Sequence, residues 1–380
     1  MPRIIKVGIV GLGRAGRFMH IPELLQLRDK FSIIAVCDQV PERTRDLPEG
    51  VGEVRACTDI RDLAADPEVE LVSIATWSEF HVEHATIALE AGKYVVLDKP
   101  FALSFADALK LQRVAERFPG KLFLRFNRRF EPAFSAVREV LASGVLGHVG
   151  MVKLYRHTGY VRRFDWQTLA KRGGGMLNNW GPHLVDQALR LLEAPVKDLW
   201  CDLQHRVSAG DAEDQVKLLL RGENGRVADV EISNVVTISA NWYELWGDRG
   251  TLVVPAGGKV LKLKYLNPEL KLPQLRAVDG VFPVTAYKNQ RDKLDFIDEE
   301  RPVVTSNRTY QNGRLVDPAT VDHSAGYTYQ DTMWGHVYAA IVDSIPYPVA
   351  VAEGVEVVRV TEEAKRASGF APALNPLCEA

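Results

Sequence analysis

Cysteine is scarce: Cys37, Cys57, Cys201 and Cys378 are the only four in 380 residues. Four scattered thiols exclude a disulfide framework and a cysteine zinc site. They fit a reducing compartment, so a cytoplasmic protein is expected. Basic excess is missing too, since 47 Lys and Arg face 49 Asp and Glu for a net charge of −2. Without a cationic stripe to release counterions, nucleic acid is a poor partner. No apolar run approaches the about 18–20 residues of a membrane helix. The stretch at 7–10 behind Arg3 and Lys6 is too short for a signal peptide, and glycines with another use interrupt it. Repeats and low-complexity tracts are absent. What remains is an ordinary globular composition, 46% apolar and 25% charged, in a chain long enough for two domains at roughly 150 residues each.

Residues 4–10 are almost wholly apolar, as in a strand buried on both faces of a parallel sheet. They run into Gly11-Leu12-Gly13-Arg14-Ala15-Gly16. Alone, G-x-G-x-x-G is a weak signal. Here a helical stretch follows, and a second strand at 32–37 ends in Asp38, 22 residues beyond Gly16, near the ~20 of the dinucleotide-binding fingerprint. Gly11 permits the tight turn, Gly13 lets a pyrophosphate approach the backbone, and Gly16 lets helix pack on strand. The helix N-terminus, with Arg14 and Ala15 in its loop, turns free N–H groups to the phosphates. Asp38 can accept from both ribose hydroxyls and would repel a 2′-phosphate, which favours NAD over NADP. Arg43 is either a solvated surface arginine or a partner for such a phosphate.

Further strands are predicted at 71–75 and 94–97. The first opens into Thr76-Trp77 and a helix over 79–91, and the second ends at Asp98-Lys99-Pro100. Ligands gather at the carboxyl ends of parallel strands, so both strand ends are candidate site positions. A helix from the N-cap Ser104 to 118 and a strand at 122–126 complete a doubly wound α/β domain over residues 1–125. His81-x-x-His84 with Glu83 reads as a helix-surface pair, since a third metal ligand is lacking. From 126 to 380 the rhythm changes. Helices are predicted at 132–142 and 183–192 and strands at 149–155, 196–203, 215–220, 226–233, 242–246 and 259–265, with Asn224-Gly225 a hairpin turn. Consecutive strands predict an α+β domain with an open, mostly antiparallel sheet. Residues 266–330 read as an insertion or lid-like stretch, and helices at 332–344 and 352–368 close the chain.

Lys99, Asn179 and His183 stand at turns beside apolar structure. The turn through Gly181-Pro182 could aim Asn179 and His183 at one point. Moving a hydroxyl proton during hydride transfer suits histidine, and a lysine beside the oxygen stabilises developing charge. No metal is implied.

With these motifs the chain resembles the glucose–fructose oxidoreductase, inositol dehydrogenase and rhizopine-catabolism (Gfo/Idh/MocA) family over nearly its full length. The resemblance rests on the glycine loop, on Thr76-Trp77-Ser78-Glu79-Phe80-His81 and Asp98-Lys99-Pro100, and on Asn127-Arg128-Arg129-Phe130 and residues 173–183. It implies a Rossmann domain joined to an α+β domain, a bound nicotinamide cofactor, oxidoreduction of sugars or cyclitols, and a homo-oligomer, dimer or tetramer, built through the second sheet. By resemblance Lys99 is catalytic and His183 transfers the proton. Thr76, Trp77, His81, Asp98, Asn127 and Trp166 line the cofactor or substrate pocket, and Tyr160 and Arg163 could reach a sugar hydroxyl. The family's common aspartate four residues before the histidine is Asn179 here. An amide cannot relay a proton, so Asn179 is expected to position only, and His183 to be less basic than beside a carboxylate. The leading expectation is an NAD-dependent sugar or cyclitol oxidoreductase. The alternatives are transient sugar oxidation serving elimination or glycoside cleavage, and a non-catalytic NAD- or sugar-binding regulator.

Overall fold

The computed structural model describes residues 3–272, 274–277, 279, 294–303, 309–311, 314–316 and 331–372. Cys378 and most of 280–330 lie outside them. Six strands, β1 (Ile5–Val10), β2 (Phe31–Cys37), β3 (Arg55–Cys57), β4 (Leu71–Ile74), β5 (Tyr94–Leu97) and β6 (Leu122–Leu124), form one sheet in the order β3-β2-β1-β4-β5-β6. Every pairing in it is parallel. Apart from β3, the strands are apolar runs because helices cover both faces. The order reverses between β1 and β4, the crevice where such sheets bind ligands, and Ala75 N bonds Val10 O there at 2.8 Å. Ser104 caps the helix Phe105–Arg117 by accepting from Asp107 N at 3.1 Å, as its place in the sequence predicts.

The second sheet adds β7 (Val149–His157), β8 (Val196–Gln204), β9 (Gln215–Gly222), β10 (Val227–Ser233), β11 (Tyr243–Gly247), β12 (Gly250–Val254), β13 (Val260–Leu266) and β14 (Phe296–Pro302), ordered β14-β13-β12-β11-β7-β10-β9-β8. It is mixed: β7 and β10 run parallel, and the other pairs are antiparallel. Gly225, at φ +84°, turns β9 into β10. The stretch read as insertion or lid therefore supplies an edge strand, β14, in its described part. Its charged sequence conceals it, because Lys262–Glu300 and Lys264–Asp298 pairs, not apolar contacts, line its outer face. On the inner face, the helix Gly181–Leu192 is buried at every position but Arg190.

Two closing helices join the halves. Met333, Trp334, Val337 and Ile341 of Asp331–Val342 pack with Ile5, Val7, Ile9 and Phe31 beneath the first sheet. Val351–Ser368 packs on both Phe105–Arg117 and Gly181–Leu192. Among the described residues no helix is long and apolar enough to cross a membrane, and no cluster of three or more His, Cys, Asp or Glu could hold a metal.

Candidate active site

β1 ends in the glycine loop, whose geometry admits few other residues. Gly11 sits at φ +91°, and a Cβ there would lie 2.6 Å from Ala75 O. At Gly16 a Cβ would fall on the Gly11 carbonyl oxygen, whereas at Gly13 it would meet nothing within 4 Å. The loop is thus tight underneath and open above Gly13, a cradle that fits a pyrophosphate. A π-helical turn, Gly16–His20, then leads into Ile21–Leu25. Arg14 is exposed at the loop and Ala15 half-buried. Asp38 at the end of β2 is buried, and its carboxylate accepts from Leu12 N at 2.7 Å and Val40 N at 2.9 Å. It therefore holds the glycine loop. Arg43 lies 3.5 Å from Asp38, turned onto that carboxylate. Gly11→Ala is expected to cost about 1–3 kcal/mol in strain and to weaken dinucleotide binding, measurable by fluorescence titration with NADH.

The ends of β4 and β5 are stitched together by His81. It is buried, with Nδ1 2.7 Å from Pro100 O and Nε2 3.1 Å from Thr76 O. The expectation of a surface His81/His84 pair is corrected: the 3-10 turn Ser78–Phe80 swings His81 inward, and His84 meets Thr76 Oγ1 at 3.1 Å. Trp77 stacks on Phe80 and meets Trp166 at 6.2 Å, while the Arg172 guanidinium lies 4.8 Å over its ring. Asp98 is buried beside Arg125 at 3.6 Å and His20 at 3.9 Å. Arg125 pairs with Glu23, which also accepts from Trp334 Nε1 at 2.6 Å. Burial, with Arg125 adding to it, pushes His20 down to about 3.

Lys99 crosses from this sheet to the second half of the chain. Its Nζ donates to Asn179 O at 2.9 Å and Asn179 Oδ1 at 3.0 Å. Burial lowers Lys99 to about 8 against the pull of Asp98, and Arg163, Arg125 and Arg14 push the same way. His183 is buried, with Nδ1 unpartnered among the described residues. Burial first, then Lys99, Arg128, Arg125 and Arg156, hold it well below the usual histidine range. Its ring meets Trp180 edge-on at 6.0 Å. His183 is therefore neutral at neutral pH, whereas Lys99, the more basic, is mostly protonated there and gives up its proton around pH 8.

The residues singled out in the sequence divide by position. Lys99 and Asn179 touch, and His183 lies within their electrostatic reach. Arg163 joins them indirectly: it chelates Asp165 at 2.8–3.0 Å and bonds Gln167, whose Oε1 is 3.5 Å from Asn179 Nδ2. Asn127 is buried with Oδ1 unpartnered among the described residues, free to accept from a bound group. Tyr160 is 60% exposed. Sequence reasoning missed Arg125, Gln167 and Glu131. The signal for Arg125 is a lone charge directly after an apolar strand, in Leu122–Leu124 and then Arg125.

A family model described as an oxidoreductase family with an NAD-binding Rossmann fold matches residues 5–126. A model of the GFO/IDH/MocA C-terminal domain matches 134–253. A 1-carboxy-3-chloro-3,4-dihydroxycyclohexa-1,5-diene dehydrogenase from Comamonas testosteroni is 30% identical over 232 residues, 60% of this chain and 58% of that protein. The chain thus spans little more than half of that relative. A myo-inositol 2-dehydrogenase from Thermotoga maritima is 25% identical over 254 residues, 65% of this chain and 74% of that protein. Among solved structures, an oxidoreductase from Thermotoga maritima superposes with a TM-score of 0.74 at 20% identity, over 97% of this chain and 98% of that one. The WlbA dehydrogenase from Bordetella pertussis, solved with NADH and UDP-GlcNAcA, gives 0.71 at 18% identity over 96% of both chains. At these identities the structural likeness shows the fold.

Proposed function

Because the chain belongs to the Gfo/Idh/MocA family of oxidoreductases, we propose that it oxidises or reduces a secondary alcohol of a sugar or cyclitol, with Lys99 as the residue that takes up or returns the hydroxyl proton. The observation that carries this reading is the Lys99 amine, lowered to about 8 and held 3.0 Å from Asn179 Oδ1 at the carboxyl end of β5. A bound nicotinamide dinucleotide supplies the hydride acceptor or donor. Gly11, Gly13 and Gly16 would cradle its pyrophosphate, Asp38 its ribose, and Asn127 its nicotinamide end. The Asp38 carboxylate supports NAD over NADP, since it would repel a 2′-phosphate and already draws Arg43 to itself.

The chain's own residues then divide the work. Neutral Lys99 accepts the alcohol proton as negative charge develops on oxygen, and its ammonium afterwards stabilises the carbonyl dipole. Neutral His183 bonds the same hydroxyl and orients it. Asn179 holds Lys99 without contributing charge. The relatives that act on inositol and on a dihydroxycyclohexadiene support a ring-borne secondary alcohol. Trp200 and Trp246, 54% and 44% exposed on the second sheet, support that sheet as a contact between copies.

The test is to identify the copurified dinucleotide by mass and absorbance, then incubate the protein with sugars, cyclitols and glycosides in deuterated buffer. Net nicotinamide reduction is expected. Solvent deuterium beside the oxidised carbon, or released aglycone, without net reduction would replace this reading with recycled oxidation. Binding without either would leave a non-catalytic binder.

A further inference from the structure

Around His183 the arginines and the carboxylates that pair with them match in number but not in place. Arg128 and Arg156 both reach Glu131, at 3.2 and 2.9 Å, and the Tyr243 hydroxyl bonds the same carboxylate. Arg129 pairs with Asp186 and Glu353, and Arg190 shares Glu353. These four arginines share three carboxylates, with the local deficit at Glu131, while Arg125 has both Glu23 and Asp98 beside it, so five arginines meet five carboxylates. Lys99 supplies the one positive charge left over, because its ammonium bonds only neutral oxygens of Asn179 and forms no ion pair among the described residues.

Exposure decides which of these cations can meet a ligand. Arg190 is 31% exposed but is not among the arginines that act on His183; of those that do, Arg125 and Arg156 keep 4% or less of their side chains exposed, whereas Arg128 keeps 14%. The Arg128 guanidinium lies 5.0 Å over the Trp180 ring, which meets His183 edge-on at 6.0 Å. Arg128 therefore belongs to the wall that carries His183. A guanidinium has five N–H donors, and one Arg128 nitrogen is engaged by Glu131. On the reading above, dinucleotide phosphates lie at the glycine loop, so they leave this charge unmet.

We propose that the substrate is a carboxylate-bearing sugar or cyclitol, its carboxylate held by Arg128 while a hydroxyl of the same ring reaches Lys99 and His183. A surplus of one positive charge matches a carboxylate better than a phosphate dianion. Asn179 completes the logic, since a neutral residue there spares an anionic substrate a repulsive neighbour. The inference rests on the proposed reaction for the place of Lys99 and deepens it by naming the substrate class.

The test uses the NAD-loaded protein with matched pairs, D-glucuronate against D-glucose and D-galacturonate against D-galactose, and glucose 6-phosphate as a second anion. Nicotinamide absorbance reads turnover, and ligand-induced thermal shift reads binding independently. Uronates are expected to exceed their hexoses by about ten-fold or more in kcat/KM or affinity. The preference should fall to parity in Arg128→Gln, persist in Arg128→Lys, and weaken in about 0.5 M salt. Equal use of neutral hexoses would overturn the carboxylate assignment and leave the reaction standing. Arg128-dependent uronate binding without any nicotinamide change would do the reverse. A stronger response to glucose 6-phosphate, or no response to any probe, would also overturn the assignment. Should Arg128→Gln fail to fold, a salt-insensitive preference in the unmodified protein would count against it equally.

Discussion

Lys99→Ala is expected to lower nicotinamide reduction by about 10²–10⁴-fold while leaving dinucleotide binding intact. The loss follows from the difference in basicity between the two groups. Lys99, at about 8, is the stronger base. His183, buried among Lys99, Arg128, Arg125 and Arg156, is too weak to take its place. Alanine also removes the Lys99 contacts to Asn179 O and Oδ1, leaving the amide held by Gln167. Lys99→Arg should be nearly as inactive, because a guanidinium stays protonated at working pH. Single-turnover absorbance measures the chemical step, and NADH fluorescence titration measures binding. Lys99→Ala activity within ten-fold of the parent would remove Lys99 from proton transfer.

Arg125→Met is expected to destabilise the protein by about 3–5 kcal/mol, because it strands two buried carboxylates. Arg125 is 1% exposed and bonds Glu23, itself 2% exposed, with Asp98 3.6 Å away. Burial already pushes Glu23 up to about 7, even with Arg125 beside it. Without the arginine its folded value rises further above the ordinary 4.5. The folded variant then holds a proton that the unfolded chain releases, so its stability falls as pH rises from about 5 toward 8. Urea unfolding should show a lower midpoint with an unchanged slope, worse at pH 8 than at pH 6. Adding Glu23→Gln should recover part of the loss. An unchanged midpoint at pH 8 would mean that the Glu23–Arg125–Asp98 cluster is solvated.

Five of the six parallel strands are legible in the sequence because each is a continuous apolar run ending at a polar turn. β3 is not, since two of its three residues are exposed and it holds its place by pairing with β2. β14 escapes for the opposite reason, its charges being satisfied across the strand by those of β13. The glycine loop is legible down to individual atoms, because turn geometry and spacing are local. His81 is not: helical periodicity shows a pair on one face, but the inward swing depends on the carbonyls of Thr76 and Pro100, 5 residues before and 19 after. The buried cluster around Arg125 is equally opaque. Glu23, Asp98 and Trp334 come from three distant segments, and spacing along the chain cannot show that they meet. Lys99 and Asn179 were both visible as candidates. Their direct contact, 80 residues apart in sequence, depends on how the two halves of the chain pack and cannot be read from spacing.

The pH dependence of single-turnover alcohol oxidation, measured side by side in the parent and in Asn179→Asp, tests the role of Lys99 most directly. In the parent, the rate should rise with pH through about 8 as Lys99 loses its proton. In Asn179→Asp, a carboxylate where Oδ1 now stands 3.0 Å from the amine would stabilise the ammonium and move that rise about one pH unit or more higher. A rise near the ordinary histidine value of 6.5, or one that Asn179→Asp leaves in place, would contradict proton transfer by Lys99.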